Sequence, residues 1–539
     1  MKLLAAAIAA LALAAPAQAG RYAVGLARGA DPDAVAARLS GTVTREHLAL
    51  GALTVTSASP PRLVGGVAYV ERLDAVRRLA WTPADPLAPR QWYLEQIRAF
   101  ASWEAQPPLA GPLVAVIDSG IDGDHPEFRD RIADTRSFVG TRATGDQQGH
   151  GTFVAGIVAA AHDARGTVGI AFGSKLLVAK VVRSDGTVSL DAEVGAIRWA
   201  VDSGARVINL SLGGVRDPLD PERDTFSPLE AAAVEYAAAH GVVVVAAVGN
   251  ADQAPRRPWP FASYPAALPH VIGVSALARD GSVPDFSDRD RIFNDVAAPG
   301  QEIVSTFPRA LSRPNCMPVG YSDCGPEEYR HAEGTSFAAP QVTGAAALLL
   351  AVRPDLTADQ VAALLTRSAV DANASTGCRE CPLGRDSLAG WGRLDVAAAV
   401  AQAAGGKVPP ADRLEPNDDA GVRARTLYGR RGGKLGATID FWDDQSDVYR
   451  VRLRAGQRLF AAMNGPGGAK LFLWRPRTPT LDAISPRVQR MRLVQSRLRG
   501  AQERLAYTAP RRGGAGWYYV QVKIGTAGSG PYVLSYTKR

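Results

Sequence analysis

The stretch Val114-Ala-Val-Ile-Asp118-Ser-Gly120 is an apolar run that ends in a carboxylate and two small residues. A continuously apolar run of this length is typical of a strand that is covered on both faces of a parallel sheet. Working outward from it, the chain holds five such runs. The strand candidates are Leu113–Ile117, Lys175–Val182, Val207–Leu210, Val242–Val248 and Val271–Val274.

Alanine-rich segments with helical spacing separate these runs, and the clearest are Phe153–Ala161, Asp191–Ser203 and Pro228–His240. Strands that alternate with helices predict an α/β fold with a doubly wound, mostly parallel sheet. Sites in such folds lie at the carboxyl edge of the sheet, so we expect Asp118 to lie in the site.

The regions on either side have other patterns. Residues 20–80 mix strand-like and helix-like segments and predict a small α+β unit, with strands at Tyr22–Leu26, Leu53–Thr56 and Val67–Val70 and a helix at Asp31–Leu39. Residues 405–425 are rich in proline and acid and predict a linker. The turn-separated strand candidates beyond it predict an all-β sandwich: Asp447–Leu453, Lys470–Trp474, Gly516–Val522 and Tyr532–Tyr536.

The N-terminus has the pattern of an export signal. Lys2 is followed by the apolar run Leu3–Ala15, which is too short to span a bilayer, and then by Ala17-Gln-Ala19, a small-x-small cleavage pattern. The alternative is an anchoring helix. We expect a signal peptide over residues 1–19, a secreted or periplasmic protein, and no membrane association after processing.

Charge and cysteine content narrow the function classes. The net charge is +8, from 61 basic and 53 acidic residues. The densest basic segment, Arg487–Arg512, is interpreted as a solvated face, so no nucleic-acid partner is expected.

The four cysteines allow three pairings, of which the local one, Cys316–Cys324 with Cys378–Cys381, is favoured. Zinc or redox chemistry at the Cys-x-x-Cys stays an alternative, without a second such pair or a nearby histidine cluster.

Two further short runs carry chemistry: Gly149-His150-Gly-Thr152 and Gly334-Thr-Ser336-Phe-Ala-Ala-Pro340. A serine hydroxyl attacks a carbonyl only when a base removes its proton and a third group orients that base. Ser336 is the candidate nucleophile, His150 the base and Asp118 the orienting carboxylate, with a helix predicted from Phe337 onward. Asn250 ends an apolar strand and is the candidate donor to the oxyanion.

These runs, in the order Asp118, His150, Ser336 and with Asn250 between the last two, resemble the subtilisin-like serine proteases (subtilases) over about residues 85–400. The resemblance implies a serine endopeptidase that cleaves proteins or peptides. It also implies that Ser211, Leu212 and Gly213 pair with the substrate backbone, and that Ala247, Val248 and Gly249 form the other wall of the specificity pocket. These walls are small and apolar, so we expect an apolar or broad side-chain preference.

The resemblance further implies a self-processing zymogen whose prosegment is an intramolecular inhibitor, and a C-terminal domain of the pre-peptidase type. We therefore expect a monomer with this organisation: signal peptide 1–19, prosegment 20–84, catalytic domain 85–404, linker 405–425 and β-sandwich domain 426–539.

No cofactor is required for this chemistry, and the metal content stays open. Subtilases often carry structural calcium, but the loop His162–Thr167 departs from the family's asparagine-rich calcium loop. Arg289 and Arg291 interleave with the acids Asp285, Asp288 and Asp290, which leaves that cluster undecided. We interpret Asp122, Asp124 and His125 as loop and supporting groups rather than as a metal site.

Two rival functions fit the same residues. One is an esterase that uses the same three side chains, and the other is a binding or adhesion protein whose C-terminal β-domain is the functional part. For the protease we expect activity to fall below about pH 6, because His150 must be neutral to accept a proton.

Overall fold

The computed structural model describes residues 20–73, 83–105, 110–252, 254–313, 327–415, 417–421, 423–481, 486–499 and 502–539. The predicted signal peptide and the predicted Cys316–Cys324 pair lie outside these residues. The Cys378–Cys381 disulfide is present. The chain divides into two compact units, Met1–Ala80 and Trp81–Arg539.

The first unit is a four-stranded antiparallel sheet, in the order β2-β3-β1-β4, with one short helix. Its small core is formed by Val24, Leu53 and Val55. The strand β2 was not predicted, because its sequence is polar and its side chains are largely exposed. The elements are β1 Gly20–Leu26, α1 Pro32–Ala36, β2 Thr42–His47, β3 Ala52–Ser57 and β4 Val67–Arg72.

The second unit contains a sheet of seven parallel strands in the order β11-β10-β9-β8-β5-β7-β6. The predicted α/β fold with a parallel sheet is confirmed. The edge strand β6 was not predicted, because it has one neighbour and a polar sequence. The strands are β5 Leu113–Asp118, β6 Ile132–Ser137, β7 Lys175–Lys180, β8 Val207–Leu210, β9 Val243–Ala247, β10 Val271–Leu277 and β11 Val296–Pro299.

Helices cover both faces of this sheet, and the side chains of β5 show why. Val114 and Val116 pack into a core shared with α4, α7, α8 and α9, whereas Ala115 and Ile117 pack against α5 and α6 on the other face. A strand buried on both faces has to be apolar at every position. The helices are α2 Trp92–Gln96, α3 Ala99–Ala105, α4 His150–Ala159, α5 Leu190–Asp202, α6 Pro228–Ala239, α7 Thr335–Val352, α8 Ala358–Ser368 and α9 Val396–Ala404.

Helix α7 is the longest of these helices and is largely buried. Among the described residues it is the one helix that is long and apolar enough to cross a membrane, by length and composition alone. It lies against strands β8 to β11 and helix α4 in the protein core. A short antiparallel pair, β12 Ile303–Thr306 and β13 Tyr329–Ala332, packs on α4.

The C-terminal part is a sandwich of two five-stranded sheets, in the orders β14-β16-β22-β18-β19 and β15-β23-β17-β21-β20. All pairs are antiparallel except β14 with β16. The additional all-β sheets agree with the prediction. The elements are β14 Arg425–Thr426, β15 Gly432–Asp440, β16 Ser446–Leu453, β17 Arg458–Asn464, β18 Ala469–Trp474, α10 Pro486–Gln489, β19 Arg492–Gln495, β20 Arg497–Arg499, β21 Gln502–Thr508, β22 Gly516–Ile524 and β23 Ser529–Lys538.

Candidate active site

The carboxyl end of β5 is the point where the strand order reverses. β5 lies between β7 and β8. On the β7 side the sheet ends at β6, and on the β8 side it continues through β9 and β10 to β11. A crevice opens at such a switch point. Asp118 is the last residue of β5, is 2% exposed, and accepts a hydrogen bond from the Ser119 N–H at 2.7 Å.

His150 faces Asp118 from the first position of helix α4. Its Nδ1 lies 2.9 Å and 3.0 Å from the two carboxylate oxygens of Asp118. The preceding Gly149 has a φ of 82°, a left-handed conformation that favours glycine. Burial alone would lower the pKa of His150, but the charge and hydrogen bond of Asp118 outweigh it and the pKa is raised. Asp118 therefore stabilises the protonated imidazole.

Asp146 supports this pair and was not predicted from the sequence. Its Oδ1 accepts hydrogen bonds from the Ser119 hydroxyl and the Gly149 N–H, both at 2.8 Å. Its Oδ2 accepts from the N–H and the hydroxyl of Thr152, at 2.9 Å and 2.7 Å. A carboxylate three residues before a helix cap is a signal for this role, because the first turn of a helix has unpaired N–H groups.

Ser336 lies in the first turn of α7. The helix begins at Thr335, two residues earlier than predicted. The Ser336 hydroxyl donates to the carbonyl oxygen of Ser211 at 3.3 Å, and the Ser211 hydroxyl donates to the carbonyl oxygen of Ser336 at 2.7 Å. The ring of Phe337 lies 5.3 Å from the His150 ring, centroid to centroid. The start of α7 is thus held between the end of β8 and the histidine.

Asn250 follows strand β9 and reaches the same helix start. Its Oδ1 accepts hydrogen bonds from the N–H and the hydroxyl of Thr335, at 2.8 Å and 2.9 Å. The Thr335 N–H can only donate, so it requires an oxygen at this position and fixes the orientation of the amide. Its Nδ2 is left available as a donor beside the cavity that Asn250 shares with Ser336.

That cavity, of about 210 Å³, is lined on one side by Ser211, Leu212 and Gly213 and on the other by Ala247 and Gly249. The structure therefore brings together five of the six residues expected to bind substrate. Val248 is the exception, because its side chain is fully buried in the core between the sheet and helices α5 and α6.

The segment Ser211–Gly213 separates this cavity from a second one of about 640 Å³, which is lined by His150, Leu190 and Tyr264 among others. The backbone groups of Leu212 and Gly213 form no hydrogen bond to backbone groups of the described residues. An exposed, unpaired backbone segment of this kind is able to pair with an extended peptide.

The end of the smaller cavity differs from the apolar pocket that the sequence predicted. Asp288 lines it and is 1% exposed. Its N–H donates to the carbonyl oxygen of Gly249 at 3.0 Å, which places its carboxylate behind the glycine wall. Burial raises the pKa of Asp288 to about 8.

The other residues considered for metal binding have protein partners. Asp122 accepts a hydrogen bond from the Arg309 N–H at 3.0 Å. His125 is buried, and burial lowers its pKa to about 4. Asp290 pairs with Arg216 at 2.8 Å. Over the described part of the chain, none of these residues belongs to a group with metal-ligand spacing.

A group with that spacing lies elsewhere, where the predicted linker meets the β-sandwich. Asp412, Glu415, Asp444 and Asp447, here called the acidic cluster, each place one carboxylate oxygen within 4.8 Å of the others. Burial, together with the charges of neighbouring carboxylates, raises the pKa of Glu415 and Asp444 well above the usual range. This group was not predicted from the sequence.

Comparison with known proteins agrees with the geometry. The profile of the Subtilase family matches residues 110–392. Fervidolysin from Fervidobacterium pennivorans is 32% identical over 361 residues, which cover 62% of this chain and 46% of fervidolysin. The chain thus corresponds to less than half of that relative's length.

Subtilisin DY from Bacillus licheniformis is 36% identical over 259 residues, which cover 48% of this chain and 83% of that protein. The solved structure of a protease from Pseudoalteromonas arctica PAMC 21717 covers 60% of this chain and all of its own, with 26% identity and a TM-score of 0.49. The family match extends over more than half of the sequence, so the chain belongs to the Subtilase family and is a serine-type endopeptidase.

Proposed function

We propose that Ser336, His150 and Asp118 form the catalytic triad of a secreted endopeptidase that is made as a self-processing zymogen. One observation carries the proposal: both carboxylate oxygens of Asp118 lie within hydrogen-bond distance of His150 Nδ1, at 2.9 Å and 3.0 Å. This contact requires a proton on Nδ1, which leaves Nε2 as the basic nitrogen.

The reaction follows from these positions. The Ser336 Oγ forms a bond to the peptide carbonyl carbon while His150 Nε2 accepts its proton. Asp118 stabilises the imidazolium, and the Asn250 Nδ2 and the Ser336 N–H donate to the oxyanion. The C–N bond then breaks as His150 gives its proton to the leaving nitrogen, which leaves an acyl-enzyme. Water, deprotonated by His150, attacks the acyl carbon. The bond from this carbon to Ser336 Oγ then breaks as His150 returns the proton to Oγ, which releases the acid and restores the enzyme.

Substrate binding uses the free backbone of Leu212 and Gly213. An extended peptide that pairs there becomes an added strand, and its alternate side chains point to opposite sides. One side chain enters the cavity between Gly213 and Gly249, next to Ser336. The neighbouring subsite is the larger cavity beside His150.

Secretion and zymogen processing rest on sequence pattern and on the resemblance to subtilases. The N-terminal 19 residues have the charge, apolar run and cleavage pattern of a signal peptide. Residues 20–73 form an independent α+β unit upstream of the catalytic residues. In the proposed zymogen this unit is the prosegment, and it inhibits the enzyme until self-cleavage.

The test compares residues 20–539 with Ser336 and with Ser336→Ala, by band size and by casein hydrolysis. The wild type is expected to lose its N-terminal segment and to digest casein, while the variant stays full-length and inactive. If both stay intact and inactive but folded, the binding-protein rival is favoured. If simple esters are cleaved and casein is not, the esterase rival replaces the proposal.

The acidic cluster is proposed to hold one structural divalent cation, with no part in the chemistry. Calcium takes six to eight oxygen ligands at about 2.4 Å, so opposite ligands lie about 4.8 Å apart. The four carboxylate oxygens lie within 4.8 Å of one another, which is close enough for all of them to reach one such ion. Asp444 Oδ1 and Glu415 Oε1 are buried without a hydrogen-bond partner among the described residues, and so is the Oδ1 of the adjacent Asn417. A cation would satisfy these oxygens.

A further inference from the structure

The cavity beside Ser336 ends at a buried carboxylate, which lies directly behind a glycine of the cavity wall. A Cβ atom built on Gly249 would lie 2.3 Å from Asp288 Oδ2 and 2.5 Å from the Ser263 hydroxyl. Any side chain at position 249 would therefore collide with the polar end of the pocket or cover it. Gly249 also has a φ of 109°, which side chains rarely adopt.

Asp288 forms no salt bridge with a described residue, although the nearby charge of Arg257 partly offsets the rise in its pKa. Its Oδ1 is buried with no hydrogen-bond partner in the described chain. The carboxylate accepts a long contact from the Ser263 hydroxyl to Oδ2 at 3.4 Å, and the backbone N–H of Ala251 also favours its ionised form. A buried carboxylate in this state costs free energy unless a donor or a cation reaches it.

The neighbouring arginines form ion pairs with other carboxylates. Arg289 makes its ion pairs with Glu380 and Asp285, at 3.6 Å and 3.9 Å. Arg257 pairs with Asp252 at the exposed rim of the cavity, and Arg216 pairs with Asp290. These three arginines thus form their ion pairs with carboxylates other than Asp288, and the rim adds a second acid, Asp252, to the cavity.

We infer that Asp288 is a specificity-determining residue that selects lysine or arginine at the substrate position just before the cleaved bond. The inference rests on the proposed function of Ser336, whose acyl group carries that side chain into this cavity. The long apolar stem of a basic side chain would lie between the backbone walls at Gly213 and Ala247, with its cationic end at the Asp288 carboxylate. The Ser263 hydroxyl is a second polar contact at that end.

The buried Asp288 also allows a pocket that does not select a basic side chain. A protonated Asp288 would donate a hydrogen bond to a neutral polar side chain such as glutamine, or would leave the pocket to apolar side chains. The three cases make different predictions for a matched set of substrates, so one experiment separates them.

The experiment measures kcat/KM of the mature enzyme for peptide p-nitroanilides that differ only at the last residue: lysine, arginine, glutamine, leucine or phenylalanine. The lysyl and arginyl substrates are expected to exceed the others by about 10-fold or more. In Asp288→Asn the ratio of kcat/KM for the lysyl over the leucyl substrate falls about 10- to 100-fold, the loss expected for a charged hydrogen bond. Asp285→Asn, on the same loop but 88% exposed, keeps the wild-type ratio.

Either of two results overturns the inference: a wild type that prefers leucine, phenylalanine or glutamine, or an Asp288→Asn variant with an unchanged ratio. Benzamidine gives a second measurement that needs no variant. It is expected to inhibit wild-type cleavage of the leucyl substrate competitively and more strongly than benzyl alcohol, and equal inhibition would also overturn it. If no substrate is cleaved and a fluorophosphonate does not label Ser336, the failure belongs to the proposed function instead.

Discussion

The side-chain oxygen of Asn250 accepts hydrogen bonds from both the N–H and the hydroxyl of Thr335, at 2.8 Å and 2.9 Å. Thr335 immediately precedes Ser336, so one short segment positions both the proposed oxyanion donor and the proposed nucleophile. The amide cannot rotate without breaking two hydrogen bonds. Its nitrogen is therefore oriented before substrate binds.

Asn250→Ala is expected to lower kcat strongly with little change in KM, because the donor acts on charge that develops in the transition state. Removal of such a donor in subtilisin costs about 10²–10³-fold, and we expect the same order here. Thr335→Val removes only the hydroxyl contact and should cost about 3- to 10-fold. Steady-state kinetics on one peptide substrate measures both, and an equal rise in KM for the two variants would contradict this role.

The acid limb of the activity profile is expected above pH 6.5. Activity requires neutral His150, and the raised pKa of His150 moves the loss of the neutral form to higher pH than the value near 6 expected from the sequence. The measurement is kcat/KM from pH 5 to 9 with a leucyl substrate, which avoids titration of the substrate. A flat profile over this range would contradict the role of His150 as the base.

Side-chain selectivity should itself depend on pH if Asp288 binds the basic side chain. Burial raises the pKa of Asp288 to about 8, so its carboxylate is mostly protonated at pH 6 and ionised at pH 9. The ratio of kcat/KM for the lysyl over the leucyl substrate is therefore expected to rise between these values. The Asp288→Asn variant should show a flat ratio, and a wild-type ratio that falls with pH would count against this role.

Asp146→Ala is expected to destabilise the enzyme by about 3 kcal/mol, because it leaves the Ser119 hydroxyl and two N–H groups at the start of α4 without their acceptor. Thermal unfolding in the Ser336→Ala background avoids autolysis. The exposed Asp134→Ala on strand β6 is the control. Equal unfolding temperatures for the two variants would show that Asp146 does not hold this turn.

Removal of divalent metal should lower the unfolding temperature through the acidic cluster. In the Ser336→Ala background, calcium is expected to raise the unfolding temperature of the EDTA-treated protein. Asp447→Asn should reduce this shift, because Asp447 is one of the four grouped carboxylates and is fully buried. If the shift is the same in Asp447→Asn as in the parent, the cation binds at another site.

The placement of Asp118, His150 and Ser336 on their elements could be predicted from the sequence, because it depends on local patterns. Asp118 ends an apolar strand, and His150 and Ser336 each lie in the first turn of a helix that follows a glycine with positive φ. Position along a strand or at a helix start determines where such a side chain points. The parallel sheet then brings the ends of β5, β8 and β9 to one edge.

The pocket carboxylate was beyond this kind of prediction. Asp288 lies 39 residues after Gly249 in the sequence, and only the folded loop brings its N–H to the Gly249 carbonyl oxygen. The alternation of acids with Arg289 and Arg291 left the role of these acids undecided. In the structure Arg289 instead turns toward Glu380, a partner 91 residues away in sequence.

The contacts of the predicted linker could not be predicted from the sequence either. Its proline and acid content is typical of a mobile connection, yet Asp412 Oδ2 accepts a hydrogen bond from the Thr438 N–H at 2.8 Å and Asn417 is fully buried. His270, in the turn before β10, pairs with Asp418 at 2.7 Å. The composition of a segment does not predict these contacts, because each contact forms between residues that are distant in sequence.

The burial of α7 has a consequence for the newly made chain. Ser336 lies at the start of a helix that packs between the sheet and helices α4, α8 and α9, so its position depends on closure of this core. With Ser336 as the proposed nucleophile, chains in which the core has not closed are expected to be inactive. Newly made chains would then be unable to cleave one another before they fold.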